Sequence, residues 1–337
     1  MAPHAGAAGQ RQLSTHWRVG VDVGGTFTDR AAIGNDGRVV AHKVLSTPGD
    51  QGEGVVRSLD GLATRADAIV HGTTVVTNLL LERRGARVLL VTTAGAEDLL
   101  ELRRQDRAAL YDLSKHHPAP LVKREDVIGV RERLVVRVAS GGAATEPAVH
   151  DATGVGVSTR DVPSPATHTR AAPSAATPSR AAPSAATPLR ELALDPAELD
   201  RVTHAALARD PEIVLVALLH SYADASHERA IADALRAARP GLEVVTSAEV
   251  LPEIREYERF ATASAEAYVR PAVIRYLDGL AARLAAADQP APSVMTSGGG
   301  MQPASAAARH AAALALSGPA GGIVGAAAVL AALRDAT

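Results

Sequence analysis

Hydrophobic and polar positions first alternate with period two, with Val19, Val21 and Val23 interleaved by Gly20 and Asp22 before the polar break Gly24-Gly25-Thr26. β-Branched residues at alternate positions predict a half-buried strand that ends at the glycines. A second run from Thr28 to Ile33, the turn Asn35-Asp36-Gly37 and a third run from Arg38 to Val44 predict a hairpin meander. The period then lengthens. Helical spacing covers Gln51 to Ala63, a strand Ala68 to His71, a helix Thr74 to Arg84 and a strand Arg87 to Thr92. Gly95 to Leu113 reads as an amphipathic, charge-laced segment leaving into a loop at Pro118-Ala119-Pro120, and a strand follows from Arg133 to Val138.

Order resumes near Asp195, where Asp195-Pro196-Ala197-Glu198 supplies an N-cap and a proline at the first helical position. The helix to Arg209 precedes a strand Ile213 to Leu218, a helix Ser226 to Ala238 and a strand Leu242 to Thr246. A long helical stretch between Pro252 and Ala287 is expected to break at Arg270-Pro271. A strand Ser293 to Thr296 then enters Ser297-Gly298-Gly299-Gly300, and Ser317-Gly318-Pro319-Ala320-Gly321-Gly322 leads into an Ala-rich helix. Short β-rich runs alternating with helices predict a layered α/β fold.

Composition divides the chain. Residues 1–16, rich in Ala, Gly and His without an apolar core, are expected to be a disordered leader, and residues 17–139 an α/β domain. Residues 140–194 are dominated by Gly, Ala, Thr, Ser and Pro, and Arg-Ala-Ala-Pro-Ser-Ala-Ala-Thr-Pro occurs at Arg170 and again at Arg180. Such a tract cannot bury enough apolar surface to pack, so a low-complexity insertion is expected. Residues 195–337 form a second α/β region. Among the 337 residues, 35 basic and 37 acidic side chains nearly cancel, which gives no electrostatic footprint for nucleic acid. Cysteine is absent, which excludes disulfides and thiolate chemistry and suits a cytoplasmic protein, and no apolar run is long enough to predict a membrane span.

Asp22-Val23-Gly24-Gly25-Thr26-Phe27-Thr28-Asp29 has the chemistry of a phosphate loop. Gly24 and Gly25 let backbone N–H groups approach an anion, Thr26 and Thr28 add hydroxyl donors, and Asp22 can hold a hydrated Mg²⁺ or orient a water, as can Asp29. A hairpin turn with a Gly-Gly bulge is the competing reading. His71-Gly72-Thr73-Thr74, ahead of a helix carrying Asn78, would place hydroxyls at a helix N-terminus, where anions bind; a capped helix with a buried histidine is the alternative. Arg103-Arg104-Gln105-Asp106-Arg107 is either a ligand loop or a solvated charged face. His220-Ser221-Tyr222 ends a strand where open α/β sheets place ligands, although adjacent strand residues face opposite ways and so oppose a His-Ser pair. His227-Glu228 reads as capping, Glu253, Arg255, Glu256, Glu258 and Arg259 as a charged helix face, and Gly298 to Gly300 as a turn.

In this order the segments VGVDVGGTFTD, STPGDQGEGV, HGTTVVTNLLLERRGARVLLVTTAGAEDLLELRRQDR, LYDL, LLHSYADASHERAI, EVLPEIREYERFATASAEAYVRP, SGGGMQPASAA and SGPAGGIVGA resemble the hydantoinase A and 5-oxoprolinase family, which includes acetone and acetophenone carboxylase subunits. The resemblance implies the first lobe of an actin-like (ribonuclease H-like) ATPase with inserted α/β substrate elements. It implies ATP and Mg²⁺ as cofactors, and a hydantoinase B-type second subunit as partner. The implied reaction is hydrolysis of a cyclic amide through phosphorylation of its oxygen, with ketone carboxylation or a binding-only fragment as alternatives. By the same resemblance Asp22 and Asp29 are catalytic, Asp22 holds the metal, and Gly24, Gly25, Thr26 and Thr28 hold the phosphates. His71, Thr73, Thr74, Asn78, Arg104, Gln105 and Arg107 are expected to line the substrate. Family members usually carry glycine where this chain has Arg103, and Ser-Asn-Gly-Gly where it has Ser297-Gly298-Gly299. The second Asp-x-Gly-Gly-Thr phosphate motif expected after the final helix lies beyond this sequence, which therefore reads as truncated.

Overall fold

The alternating valines produce β1 (Trp17–Val23), which with β2 (Phe27–Gly34) and β3 (Val39–Leu45) forms the antiparallel meander. In this computed structural model, residues 16–47, 50–62, 64–112, 114–138 and 186–335 are described; the expected leader up to residue 15 and the repeats from Arg170 up to residue 185 lie outside them, whereas Ala186–Leu192, at the end of the expected insertion, forms a strand. Trp17, Val19, Val21 and Val23 bury one face of β1 against α1 (Gln51–Ser58), whose Val55 shares that core. Asp50 caps α1 by accepting from the Glu53 N–H. β4 (Ala66–Thr73) pairs with β1 in parallel, and α2 (Val75–Leu81) follows.

The chain then leaves this sheet and builds a second. In order come β5 (Val88–Thr93), α3 (Leu99–Leu102), β6 (Val127–Val130), β7 (Arg133–Val138), β8 (Ala186–Leu192), α4 (Pro196–Leu207), β9 (Ile213–Ala217), α5 (Ser226–Ala238) and β10 (Glu243–Thr246). Strands β10, β9, β5 and β6 form a wholly parallel sheet in that order, and β7 pairs antiparallel with β8 as a separate ribbon. Every residue of β5 and β9 is buried, as parallel strands covered on both faces require. Leu89, Val91, Val214 and Val216 pack against α4 and α5.

After α6 (Ser247–Val250) comes α7 (Glu256–Ala286), which covers the opposite face of the second sheet through Phe260, Ala263 and Ala267. Its later residues Leu280 and Leu284 enter the core under β1. β11 (Ser293–Met295), β12 (Met301–Pro303), α8 (Ala304–Ala307) and α9 (Ser317–Asp335) complete the order. β11 joins β4 in parallel, so the first sheet runs β12-β11-β4-β1-β2-β3. The entire second sheet is therefore inserted between two neighbouring strands of the first.

Four expectations are corrected. Pro271 does not interrupt α7, because it is buried with Val269 and Val273, and packing on both sides offsets a proline cost of about 3 kcal/mol. The segment from Gly95 shortens to one turn, since Arg103 takes φ 55 and ends α3. The charges around Glu253 do not all face solvent. Arg259 is fully buried, donating to Leu218 O at 2.7 Å, Glu253 O at 3.1 Å and the Ser247 hydroxyl at 3.2 Å. Glu228 is likewise buried rather than capping its helix: it accepts from Leu218 N–H at 2.8 Å, Ala248 N–H at 2.9 Å and Ser247 at 2.6 Å, and burial raises its pKa.

The join between α2 and β5 depends on a glycine pressed against α7. A Cβ at Gly85 would lie 2.2 Å from the Tyr268 ring and 2.5 Å from Tyr268 O, which accepts the Ala86 N–H at 2.8 Å. Gly85→Ala is expected to lower the unfolding free energy by about 2–3 kcal/mol through backbone displacement. Gly279→Ala, inside α7 with open space around it, should raise it by about 0.5–1 kcal/mol; urea denaturation of both variants checks the pair.

Candidate functional site

The glycine turn is a tight hairpin whose outer side is open. Gly24 N–H donates to Phe27 O at 3.0 Å, and β3 holds the turn from beside it: Ser46 N–H donates to Thr26 O at 2.9 Å and its hydroxyl to Gly24 O at 2.8 Å. A Cβ at Gly24 would lie 3.1 Å from Phe27 O, so the turn closes tightly there, whereas Gly25 and Thr26 are exposed. The antiparallel register sets Asp22 directly opposite Asp29 on the outer face. Burial, and secondarily the Asp29 charge, raises the Asp22 pKa. Lys43 sits 2.9 Å from Asp29 and partly neutralises the pair.

A cleft of about 670 Å³ opens along this face, lined by Asp22, Asp29, Lys43, Gly72, Ser317 and Gly318 among others. A Cβ at Gly72 would meet Asp22 Oδ1 at 2.8 Å, so a side chain here would shift that carboxylate. The start of α9 is pinned beside the carboxylate: the Ser317 hydroxyl donates to Thr73 O at 3.0 Å, and Leu316 N–H donates to Thr77 Oγ1 at 3.1 Å. Lys43, Gly72 and Ser317 were not singled out by sequence reasoning as site residues. Their signals were present in HGTT, SGPAGG and the third strand, but nothing in one dimension placed them beside Asp22.

Several expected site residues point elsewhere. Thr28 alternates to the core face, where it is fully buried and bonded to Ser46 Oγ at 3.1 Å, so it braces the turn from beneath. His71 is also fully buried: its Nδ1 lies 3.3 Å from Val21 O and its Nε2 2.6 Å from the Tyr276 hydroxyl on α7. Burial lowers its pKa to about 4, so the imidazole is neutral and structural rather than substrate-facing. Thr73 turns inward too, accepting from Val75 N–H at 3.2 Å. Thr74 stays near the turn, its hydroxyl 3.4 Å from Val23 O, with the Asn78 amide 3.5 Å away.

Arg104, Gln105 and Arg107 are exposed on the loop after α3, at the other sheet. Arg104 pairs with Glu258 in the first turn of α7, which is about 27 Å along the helix from Tyr276 and His71. The fold thus separates the expected residues into two groups. Arg103 occupies φ 55, ψ −127, a region glycine takes freely and a long side chain does not. Ser221 bonds to Ser247 at 3.2 Å within the buried Glu228 network, and His227 bonds through Nδ1 to buried Glu132 at 2.8 Å, so neither forms a nucleophile. Among the described residues, no helix is long and apolar enough to cross a membrane, and no cluster of three or more His, Cys, Asp or Glu side chains is poised to bind a metal.

Comparison with known proteins places this geometry in context. The profile of the hydantoinase/oxoprolinase N-terminal region matches residues 18–238, and that of hydantoinase/oxoprolinase matches 259–336. An uncharacterised protein of Methanocaldococcus jannaschii is 30% identical over 91% of this chain and 39% of its own length. Caprolactamase subunit alpha of Pseudomonas jessenii is 28% identical over 84% and 36%, and 5-oxoprolinase 1 of Arabidopsis thaliana is 29% identical over 90% and 23%. The chain thus spans between 23% and 39% of the length of these relatives. A nucleotide-free acetone carboxylase structure shares the fold with TM-score 0.70 over 95% of this chain and 41% of its own, at 22% identity. The ATP-dependent caprolactamase from Pseudomonas jessenii matches with TM-score 0.60 at 26% identity, over 85% and 36%.

Two outcomes follow, one from a buried group and one from a strained backbone. Unfolded histidine has a pKa of about 6.5, so His71 in the folded state binds fewer protons than in the unfolded state between that value and about 4. Its contribution to stability is complete above pH 6.5 and is lost as pH falls, by about 2 kcal/mol at pH 5. Urea titrations at pH 7 and pH 5 should show this loss in the native chain and a smaller one in His71→Gln. Arg103→Gly should raise stability by about 1 kcal/mol by removing the strained side chain, read as an upward shift in Tm.

Proposed function

The chain belongs to the hydantoinase/oxoprolinase family, and on that premise we propose that it carries the phosphate-handling lobe of an ATP-dependent enzyme that activates an unreactive carbonyl. The observation that carries this reading is the pair Asp22 and Asp29, facing each other across a glycine turn beside the first turn of α9. Strand order also supports an actin-like lobe, with the antiparallel β1, β2 and β3 followed by the parallel neighbours β4 and β11.

In this reading Gly24, Gly25 and Thr26 offer backbone and hydroxyl donors to phosphate oxygens, and Lys43 adds a cation at the rim. Two carboxylates on one face fit Mg²⁺, which keeps most of its waters and takes one or two protein oxygens together with phosphate. The donor set therefore suits the ion, with Asp22 its first ligand and Asp29 a second; when bound, Mg²⁺ would neutralise charge on the phosphates. The raised pKa of Asp22 fits a carboxylate whose charge becomes favourable once a cation is present. Thr74 and Asn78 stand near the same turn, whereas Thr28, His71 and Thr73 act by holding it in place.

The proposed reaction moves the γ-phosphoryl group of ATP to the oxygen of a cyclic amide, and ADP leaves. Water then adds to the activated carbon, the ring C–N bond opens, and a second water releases phosphate. The caprolactamase and 5-oxoprolinase relatives favour an amide. Likeness in fold to acetone carboxylase supports a ketone as the second reading, activated by the same phosphoryl transfer. A subunit among the relatives supports a partner chain, here a hydantoinase B-type subunit.

Calorimetric titration with ATP and Mg²⁺, alone and with a candidate second subunit, tests this reading. Native protein is expected to bind, and Asp22→Ala to lose the Mg²⁺ dependence with affinity reduced by a factor of about 10 or more. Thr28→Val should lower stability while leaving nucleotide affinity within about twofold. Absence of nucleotide binding in both settings, or unchanged Mg²⁺ dependence in Asp22→Ala, overturns the assignment.

A further inference from the structure

The outermost strand of a sheet offers unpaired N–H and C=O groups to any other strand, and proteins blunt such edges to prevent pairing. Three of the four outer strands of the two larger sheets are blunted here. β12 has three residues and ends in Pro303. β10 has four, and the Arg236 guanidinium donates to its Val244 O at 2.8 Å; β6 also has four, and the Arg201 guanidinium donates to its Gly129 O at 2.7 Å. β3 has none of these devices. Its seven residues, Val-Val-Ala-His-Lys-Val-Leu, contain no proline and keep an unbroken register with β2.

That register fixes which groups are free. Gly34 N–H donates to Arg38 O at 2.8 Å and Ser46 N–H to Thr26 O at 2.9 Å, so the even-numbered residues of β3 bond to β2. Val39, Ala41, Lys43 and Leu45 therefore turn their backbone groups outward, where no partner meets them among the described residues. Val39 and Leu45 are each 64% exposed and share the outer face with exposed Ile33 and Phe27. Lys43 is the only Lys, Arg, Asp or Glu in the strand, and its charge is met by Asp29 at 2.9 Å.

We propose that β3 pairs antiparallel with β3 of a second copy of this chain, about a two-fold axis at His42. With this full overlap all four outward residues find partners: Val39 faces Leu45 of the second copy, and Ala41 faces its Lys43. Between them Val40 faces Val44, and His42 faces its own counterpart. The Val–Leu pairs cover both exposed ends of the strand. Each Lys43 arrives opposite an alanine with its charge already balanced by Asp29, so no unpaired charge is enclosed. Sliding one copy by two residues sets Lys43 opposite Lys43 in one direction and moves Leu45 opposite Gly37 in the other, so the charge pattern and the apolar pattern select the same register. Seven residues a side is small against the roughly 20–30 of a stable interface, so the association is weak and concentration-dependent.

Sedimentation velocity of the full chain over a range of concentrations tests this, and the expected result is a reversible monomer–dimer equilibrium. Ala41→Pro removes an outward N–H that β2 does not use, and it should abolish the dimer while circular dichroism stays native. Val39→Lys and Leu45→Glu should each weaken dimerisation roughly tenfold. Mixing those two variants should recover it, because opposite charges then meet at one end of the strand pair and Val39 meets Leu45 at the other. The chain has no cysteine, so His42→Cys carries a single thiol. Facing residues of a non-hydrogen-bonded pair have Cα atoms about 4.5 Å apart, so with oxidised glutathione His42→Cys should form a disulfide-linked dimer much faster than Ala41→Cys. Asp22→Ala should leave dimerisation unchanged, which separates failure here from failure of the nucleotide assignment. A monomer at every concentration, a dimer undiminished in Val39→Lys and Leu45→Glu, or cross-linking through His42→Cys no faster than through Ala41→Cys overturns the proposal.

Discussion

The architecture depends on burying one long helix against two sheets at once. Over about 46 Å, α7 presents Phe260, Ala263 and Ala267 to the second sheet and Leu280 and Leu284 to the first, so few of its faces are left for solvent. Its polar residues are absorbed in the same way. Glu266 is buried and accepts from Ala311 N–H at 3.0 Å and Ala312 N–H at 2.7 Å, tying the returning chain to the helix before α9 begins. Arg259 closes the carboxyl end of β9, and Tyr276 reaches His71. At the far end Arg283 pairs with Asp50, the cap of α1, and Gln289 Oε1 accepts from Ala66 N–H at 3.0 Å where β4 begins.

That helix gives the two candidate regions a fixed separation. Asp22 is aimed by β1, whose position is held by the Val21–His71–Tyr276 contacts on one face and by Gly72 on the neighbouring strand. The loop carrying Arg104 is aimed by Glu258 at the other end of the same helix. A neutral, fully buried histidine is well suited to fixing β1, because it keeps two directional hydrogen bonds without bringing an unpaired charge into the core. Glycine at position 72 serves the same end, because any side chain would displace the Asp22 carboxylate.

The insertion explains why the molecule has two parallel sets of strands. β4 and β11 are neighbours in the first sheet although the whole second sheet is threaded between them in sequence. Parallel neighbours need a crossover connection, and here the crossover has grown into a layer with its own core. The parallel strands of the first sheet present their carboxyl ends to the cleft at the glycine turn.

Much of the secondary structure was legible locally, because strand alternation and helix caps are short-range. The meander, the Asp195 cap and the helix Ser226–Ala238 needed only neighbouring residues to be read. Pro271 misled because its cost is local while the burial that offsets it comes from tertiary packing. Chemistry was legible only as far as residue type. The run from Asp22 to Asp29 specified two carboxylates and a glycine turn, and the register confirmed that they share a face. Whether Thr28, His71 and Thr73 faced ligand or core depended on which side of each strand α1 and α7 would cover. The sequence by itself determined the strands, the caps and the identity of the reactive groups, since these follow from residue type and spacing. Only the tertiary structure decided which of those groups meet, because side-chain orientation and burial are set by the long-range packing of α7 across both sheets.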